Sequence, residues 1–377
     1  MAPGREPIRS ILLTGSLGPG GTELAVMTLA RSFADRRVVD PHVVVLTSGG
    51  KWADGLRAGG IRVSELGIAG PIRRPVELRK LLSLVGIVRR EKIDIVHTFL
   101  FDADVYGMLA TRLGRPRAVI TTRRAIKANR PHHLRAYSWT NRFANKVVAN
   151  SEAVARFTIE NEKIRAEKVI VIPNGVSIAR FRSGDRYAMR ERLGIRDDEI
   201  LVGSIGTLKP VKGQQVFAQA ILPMMRERLD LRVVFAGTRT RGYGDEIERM
   251  ISDAGMQERA LLPGSVEEVP DLLAALDLFV MPSLSEGMSN ALLEAMAAGL
   301  PIIATSVGGN SENLEHGKAG HLVPPDDSAA LAEAIERMLD DRNARNEFAA
   351  RASHRAESIY SLESMLDSTE SLYRSLL

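Results

Sequence analysis

The 377 residues include no cysteine, which excludes a disulfide framework, a thiolate metal site and a cysteine nucleophile. No run of about 18 apolar residues is available to span a bilayer. The first residues, MAPGREPIRSILLTGS, lack the long apolar core of a secretory signal. Together these absences set the expectation of a cytoplasmic protein. Aromatics are sparse at 5%, and few stand between the basic residues, so the charged segments carry no nucleic-acid-binding pattern. Short-period repeats and low-complexity tracts are also missing.

What is present is a soluble globular composition, 45% hydrophobic and 26% charged, in a chain long enough for two domains. Charge is unevenly divided. Residues 1–178 carry 29 Lys and Arg against 15 Asp and Glu, a balance of +14, whereas residues 179–377 carry 22 against 31, a balance of −9. The basic first half points to an anionic partner.

Short β-branched runs alternate with helical patterns, the signature of parallel sheets wrapped by helices. Seven strands are predicted in the first half: IRSILLTG, PHVVVLTS, IRVSELG, IDIVHTF, RAVITT, KVVAN and KVIVIPN. Six follow in the second: EILVGSIG, LRVVFAG, ALLPG, DLFVMPS, LPIIAT and AGHLVPP. The predicted architecture is two Rossmann-like doubly wound α/β domains, 1–178 and 179–355, with a last helix over 356–377 returning to the first domain.

The segment SEGMSNALLEAMAAGLP, Ser285 to Pro301, reads as a helix with Ser289 at the N-cap, Gly299 at its end and Pro301 beyond. That leaves Glu294 unexplained, because mid-helix among Leu292, Leu293, Ala295 and Met296 a carboxylate needs solvent or a partner. Glu286 lies one turn upstream beside Gly287. Two acceptors therefore flank a helix N-terminus suited to an anion, which is what a phosphate joined to a sugar requires.

Other stretches carry weaker signals. Gly20 and Gly21 open a helix after the first strand and would turn N–H groups to a phosphate or sugar, although a structural turn explains them as readily. GTLKPVKG sets Lys209 and Lys212 after a strand, where ligands collect in open α/β sheets, and both would neutralise a diphosphate leaving group. His97 ends a strand, as a ligand contact or as a core histidine with satisfied nitrogens. Asp102 and Asp104 suit the start of a helix, and TRRAIKANRPHHLR, with Arg123 and Arg124, suits a phosphate-bearing or otherwise anionic acceptor. Nothing calls for a metal.

These motifs together resemble the retaining GT-B glycosyltransferases of family four. The likeness rests on GGTE (20–23), IDIVH (93–97), VVANSEAV (147–154), VIPNGV (171–176), KPVKG (209–213), PSLSEGMSNALLEAMAAGLPIIAT (282–305) and GGNSE (308–312). It implies two domains facing each other across a cleft, acceptor in the first and donor in the second. It also implies that Glu294 holds the donor ribose, Glu286 the donor sugar hydroxyls, and the backbone of Gly287, Met288, Ser289 and Asn290 the distal phosphate. Lys209, Lys212, Glu286 and His97 form the expected catalytic set, Asp102, Arg123 and Arg124 the acceptor set. Two departures stand out. Thr207 occupies the family's usual arginine position, a role passed here to Lys209, and Phe99 replaces the second histidine of an HxH pattern.

The resulting expectation is a glycosyltransferase moving a sugar from a nucleotide diphosphate donor to a glycan or lipid-linked acceptor, with no further cofactor. A nucleotide-sugar epimerase on the same fold and a non-catalytic nucleotide-sugar-binding partner protein are the alternatives. The segment Arg73 to Lys92 alternates basic residues with a Leu/Val/Ile stripe, giving the further expectation of peripheral contact with an anionic membrane on its inner face.

Overall fold

The computed structural model of the chain describes residues 6–18, 20–48, 50–68, 74–126 and 131–377. These divide into two units, Met1–Asn174 with Met365–Leu377, and Gly175–Ser364.

The first unit holds β1 (Ile8–Thr14), β2 (Val39–Val45), β3 (Arg62–Glu65), β4 (Ile95–Phe99), β5 (Ala118–Arg123), β6 (Lys146–Ala149) and β7 (Val169–Val171) in one parallel sheet of order β3-β2-β1-β4-β5-β6-β7. The order reverses between β1 and β4, where chain crossovers leave to opposite sides and strand ends are open to a ligand. β4 and β5 are buried along their whole lengths, as strands covered on both faces must be. One helical layer packs Leu81, Leu84, Val85 and Val88 of helix Pro75–Arg90 and Ala103 and Ala110 of helix Phe101–Gly114 against Ile11, Leu13 and Val96.

The second unit holds β8 (Ile200–Ile205), β9 (Leu231–Ala236), β10 (Ala260–Gly264), β11 (Leu278–Met281), β12 (Ile302–Thr305) and β13 (His321–Val323), in the order β10-β9-β8-β11-β12-β13. Its strand residues alternate between two cores. Leu201, Val234, Phe279 and Met281 enter one, and Val202, Val233, Phe235 and Val280 the other. This is the period-two geometry of a pleated strand buried on both sides. The reversal here lies between β8 and β11.

The two sheets contain the seven and six strands that the β-branched runs predict. The chain after residue 340 forms two helices, Arg342–Ser358 and Leu362–Ser375. They are separated where Tyr360 O accepts from Val176 N and Leu362 N donates to Val176 O. Those bonds pull Tyr360 to Leu362 into extended pairing and end the preceding helix. Among the described residues no helix is long and apolar enough to cross a membrane, and no group of three or more His, Asp or Glu is arranged to hold a metal ion.

Candidate functional site

In the second unit the loops that follow β8, β11 and β12 interlock. Gly213 has φ 67°, and a Cβ there would stand 1.9 Å from the Pro282 carbonyl oxygen, so only glycine allows the first loop to approach the second. Leu284 N donates to Val211 O at 2.9 Å across the same seam. From the third loop, Gly309 N donates to Gly287 O at 2.9 Å. Gly308, at φ 53°, lies so close to Glu286 that a Cβ would fall 1.8 Å from its carbonyl oxygen.

This packing fixes Glu286. Its Oε1 accepts from Lys212 Nζ at 2.6 Å and from Ser283 Oγ at 2.7 Å. Ser283 is held in turn, because Thr305 Oγ1 donates to its carbonyl oxygen. Lys212 and Glu286 therefore form a partly exposed ion pair at the β8/β11 reversal, a cation beside a carboxylate that retains its other oxygen for a ligand hydroxyl. No sequence signal marks Ser283, since a serine before a loop carries none until its acceptor is known.

Eight residues on, Glu294 sits within helix Asn290–Ala297. Burial pushes its carboxyl up to about 7, with the Arg180 charge acting in the opposite direction and no hydrogen bond from the described residues supporting the charged form. Such a group gains from any ligand that donates hydrogen bonds to it. Arg180, exposed on the short helix Ile178–Arg182, carries no sequence signal for this role, because only the fold brings it near Glu294. Ser289 occupies the N-cap, but its hydroxyl caps nothing and is buried. Gly287 and Met288 are buried beside it and Asn290 is partly exposed. Lys209, half-buried, precedes the single turn Pro210–Lys212, and Thr207 is exposed with its carbonyl accepting from Gln214 Nε2 at 3.3 Å.

The first unit departs further from expectation. Arg123 is not a free cation for an acceptor. It is 5% exposed and bonds Asp104 Oδ2 at 2.6 Å, Glu162 Oε2 at 2.9 Å and Asn141 Oδ1 at 3.0 Å, with Tyr137 3.9 Å below its guanidinium. Burial raises Asp104 to about 6 against the pull of Arg123. Adjacent residues of an extended segment face opposite ways, so Arg123 meets Asp104 and Glu162 while Arg124 turns to the other side, toward Gly21. Arg124 is half-buried, donating to Gly21 O at 3.4 Å, and burial lowers it to about 10 while Glu23 acts in the other direction.

His97 is likewise a core residue rather than a group turned to a ligand. It is 2% exposed, with Nδ1 2.9 Å from Tyr373 Oη and Nε2 2.6 Å from Thr122 Oγ1, and it stacks on Phe99 at 4.3 Å. Gly20 and Gly21 open helix Gly21–Arg36 as expected, but an internal acid already occupies the turn. Glu23 Oε2 would lie 2.3 Å from a Cβ on Gly20, and Ser16 Oγ donates to Glu23 Oε1 at 3.2 Å. Asp102 and Asp104 both fall in the first turn of helix Phe101–Gly114, Asp102 exposed and Asp104 buried, so they do not converge on one point.

The chain matches the Glycosyltransferase Family 4 model over residues 19–180 and the Glycosyl transferases group 1 model over residues 199–341. It is 28% identical over 283 residues, 71% of each chain, to the Escherichia coli UDP-Gal:alpha-D-GlcNAc-diphosphoundecaprenol alpha-1,3-galactosyltransferase. To the D-inositol 3-phosphate glycosyltransferase of Paenarthrobacter aurescens it is 27% identical over 369 residues, 91% of this chain and 90% of the other. Among solved structures, Anabaena HepE in complex with UDP gives a TM-score of 0.87 at 26% identity, over 98% of this chain and 100% of that one.

Proposed function

Because the chain belongs to the group 1 glycosyltransferases of family four, with the GT-B pair of α/β units, we propose that it transfers a hexosyl group from a UDP-sugar to a glycan or lipid-linked hydroxyl, with retention of anomeric configuration. The observation that carries this reading is the pairing of the Lys212–Glu286 contact with a hydrogen-bond-poor Glu294 at the same strand reversal. In the proposal Glu294 accepts from the ribose hydroxyls and the free oxygen of Glu286 from the sugar. Backbone groups of Gly287, Met288, Ser289 and Asn290 meet the distal phosphate. Lys212 and Lys209 offset the charge that develops as the phosphate–sugar bond breaks, a stabilisation of the leaving group in a preorganised site. UDP is the nucleotide of choice because HepE is found with it.

A lipid-linked acceptor agrees with the outer surface of helix Pro75–Arg90. One face, with Leu81, Leu84, Val85, Ile87 and Val88, is buried, but Val76, Leu78 and Leu82 are each about half exposed beside Arg74 and Arg79. Apolar side chains flanked by cations suit an anionic bilayer surface. Lys80 does not contribute as expected, because its ammonium is spent on Gly67 O and on Glu77, and Arg73 lies outside the described residues.

The test is direct. UDP at 100 times its dissociation constant should add about 2.7 kcal/mol of stability, more than GDP or ADP at equal concentration. A panel of UDP-hexoses should then include one that releases UDP slowly in water, and the anomeric proton of the transferred sugar should report retention. Absence of UDP release from every donor would overturn the enzymatic reading.

A further inference from the structure

We infer that Arg355 is a positioning residue for Glu286, acting from helix Arg342–Ser358 through helix Asn310–Asn313 and a buried series of hydrogen bonds made by Asn310, Thr305 and Ser283. The inference rests on the proposed contact of Glu286 with the donor sugar, and it explains why that carboxylate offers one particular oxygen.

The series begins at a helix that cannot complete its own bonding. Asn310–Asn313 has four residues, and the last carbonyls of a helix find no regular donor within it. Arg355 supplies donors, its Nη2 reaching Glu312 O at 3.0 Å and its Nε reaching Asn313 O at 3.1 Å. A planar guanidinium can hold two neighbouring carbonyls at once, and a cation at a helix C-terminus agrees with the direction of the dipole. Tyr360 Oη at 3.4 Å and the Glu315 carboxylate at 3.8 Å take the remaining sides. Arg355 is thus committed within the protein, and any effect it has on a donor must pass through the helix it clamps. Its own base is firm, because Ala352 and Ala356 of the same helix enter the core that holds Leu292, Leu293 and Met296.

At the start of the clamped helix Asn310 is fully buried, and its Nδ2 donates to Thr305 O at 3.1 Å. Thr305, buried at the end of β12, donates through Oγ1 to Ser283 O. Ser283, buried after β11, donates through Oγ to Glu286 Oε1 at 2.7 Å. Lys212 Nζ donates to the same oxygen. Both donors converge on Oε1, which leaves Oε2 to accept from a sugar hydroxyl. A second tie leaves the same loop, since Asn313 N donates to Gly309 O and Gly309 N to Gly287 O, each at 2.9 Å. Movement of helix Asn310–Asn313 is therefore felt at Glu286 through its side chain and through the backbone beside it. Where water is excluded, a bond broken in such a series is not replaced. A reacting group displaced by about 1 Å can lose on the order of 10²-fold in rate.

Steady-state kinetics with the UDP-hexose that the wild type turns over, together with calorimetric titration of UDP, test the inference. Arg355→Met should lower kcat about tenfold or more while UDP affinity stays within about twofold, because only the sugar contact is displaced. Arg355→Lys, which lacks the fork but keeps a donor, should recover part of the loss. Ser283→Ala should give a similar fall in kcat, and Arg355→Met placed in that background should add about twofold or less, since the series is already cut. A purely structural role would lower stability in urea without this split between kcat and UDP affinity and without the non-additivity. Should Arg355→Met fail to fold, Arg355→Lys in both backgrounds makes the same comparison. Wild-type kcat in Arg355→Met, a loss of UDP affinity equal to the loss of kcat, or full additivity with Ser283→Ala would each overturn the inference while leaving the glycosyltransferase reading in place. Turnover absent from the wild type with every UDP-hexose would overturn that reading, and the role of Arg355 with it.

Discussion

Tyr373 Oη lies 2.9 Å from His97 Nδ1, so a residue of the last helix completes the hydrogen bonding of a histidine in β4, 276 positions earlier. Tyr373→Phe leaves that ring nitrogen buried without a partner and should cost about 1–3 kcal/mol of stability. Urea unfolding checks the cost. Calorimetric titration with UDP should give the wild-type affinity, because the proposed donor residues belong to the other unit.

The same histidine predicts an acid response. Burial lowers His97 to about 3 from an ordinary value near 6.5. The unfolded chain therefore binds a proton that the folded chain refuses between those limits. The contribution of neutral His97 is complete above pH 6.5 and is lost as pH falls toward 3. His97→Asn should flatten this part of the stability profile relative to wild type, whatever it does to the absolute stability at pH 7. Parallel profiles from pH 7 to 4 would show that His97 is not the titrating group.

Glu294 titrates with the opposite sense. Its carboxyl is raised to about 7, so the ligand-free native state binds more protons than the unfolded state between about 4.5 and 7, and stability falls as pH rises through that window. Glu294→Gln should remove the decline and leave the variant more stable at pH 8, by about 1–3 kcal/mol. UDP binding should oppose it, because ribose hydroxyls donate to the charged carboxylate. Wild-type affinity should therefore rise from pH 6 to 8 more steeply than that of Glu294→Gln. The comparison cancels the ionisation of UDP itself, and identical slopes would remove Glu294 from the ribose site.

In the proposed mechanism Lys209 takes the part of the arginine that Thr207 does not supply. Lys209→Ala should lower turnover on the order of 10²-fold, the loss typical when a charge-stabilising donor is removed, and Thr207→Arg added to it should recover part of the rate. Steady-state kinetics with the active donor decide the matter. Nearly wild-type turnover in Lys209→Ala would show that the leaving group is neutralised elsewhere.

For the membrane contact, phosphatidylglycerol vesicles should bind the protein and release it as salt rises, since surface charge is screened over about 8–10 Å at 0.10–0.15 M. Arg74→Gln with Arg79→Gln should weaken binding by about 2 kcal/mol, near 1 kcal/mol for each basic residue. Val76→Ser, Leu78→Ser and Leu82→Ser together should weaken it without altering UDP affinity. Unchanged binding of both sets, measured by vesicle flotation, would exclude this helix.

Most strands were legible because a parallel strand buried on both faces leaves an almost unbroken apolar and β-branched run, as β2 and β4 do, whereas β3 (RVSE) and β10 (ALLPG), only partly buried, left a weaker trace. The acid pair was legible for a related reason, since Glu294 interrupts an apolar helix pattern. Facing was not. Arg123 and Arg124 are neighbours of one type, and only the twist and stacking of the sheet decide which of them meets Asp104. The role of His97 depended on Tyr373, and that of Lys80 on the Gly67 carbonyl, each a contact that spacing along the chain cannot reveal. The break at Tyr360 to Leu362 arises from pairing with Val176, an interaction equally remote in sequence.

The first unit is assembled from two stretches that the whole of Gly175–Ser364 separates. During synthesis, residues up to Asn174 must therefore wait while 190 more are added before the segment starting at Met365 appears. At about 5–20 residues per second that is roughly 10–40 s. Throughout the wait Phe33, later packed 5.7 Å from the Tyr373 ring, and His97 lack their final neighbour. The second unit is continuous and meets no such delay. A nascent chain of this protein thus exposes an unfinished apolar surface on its older part while its younger part is already complete, and a truncation that spared every residue of the second unit would leave the first permanently open.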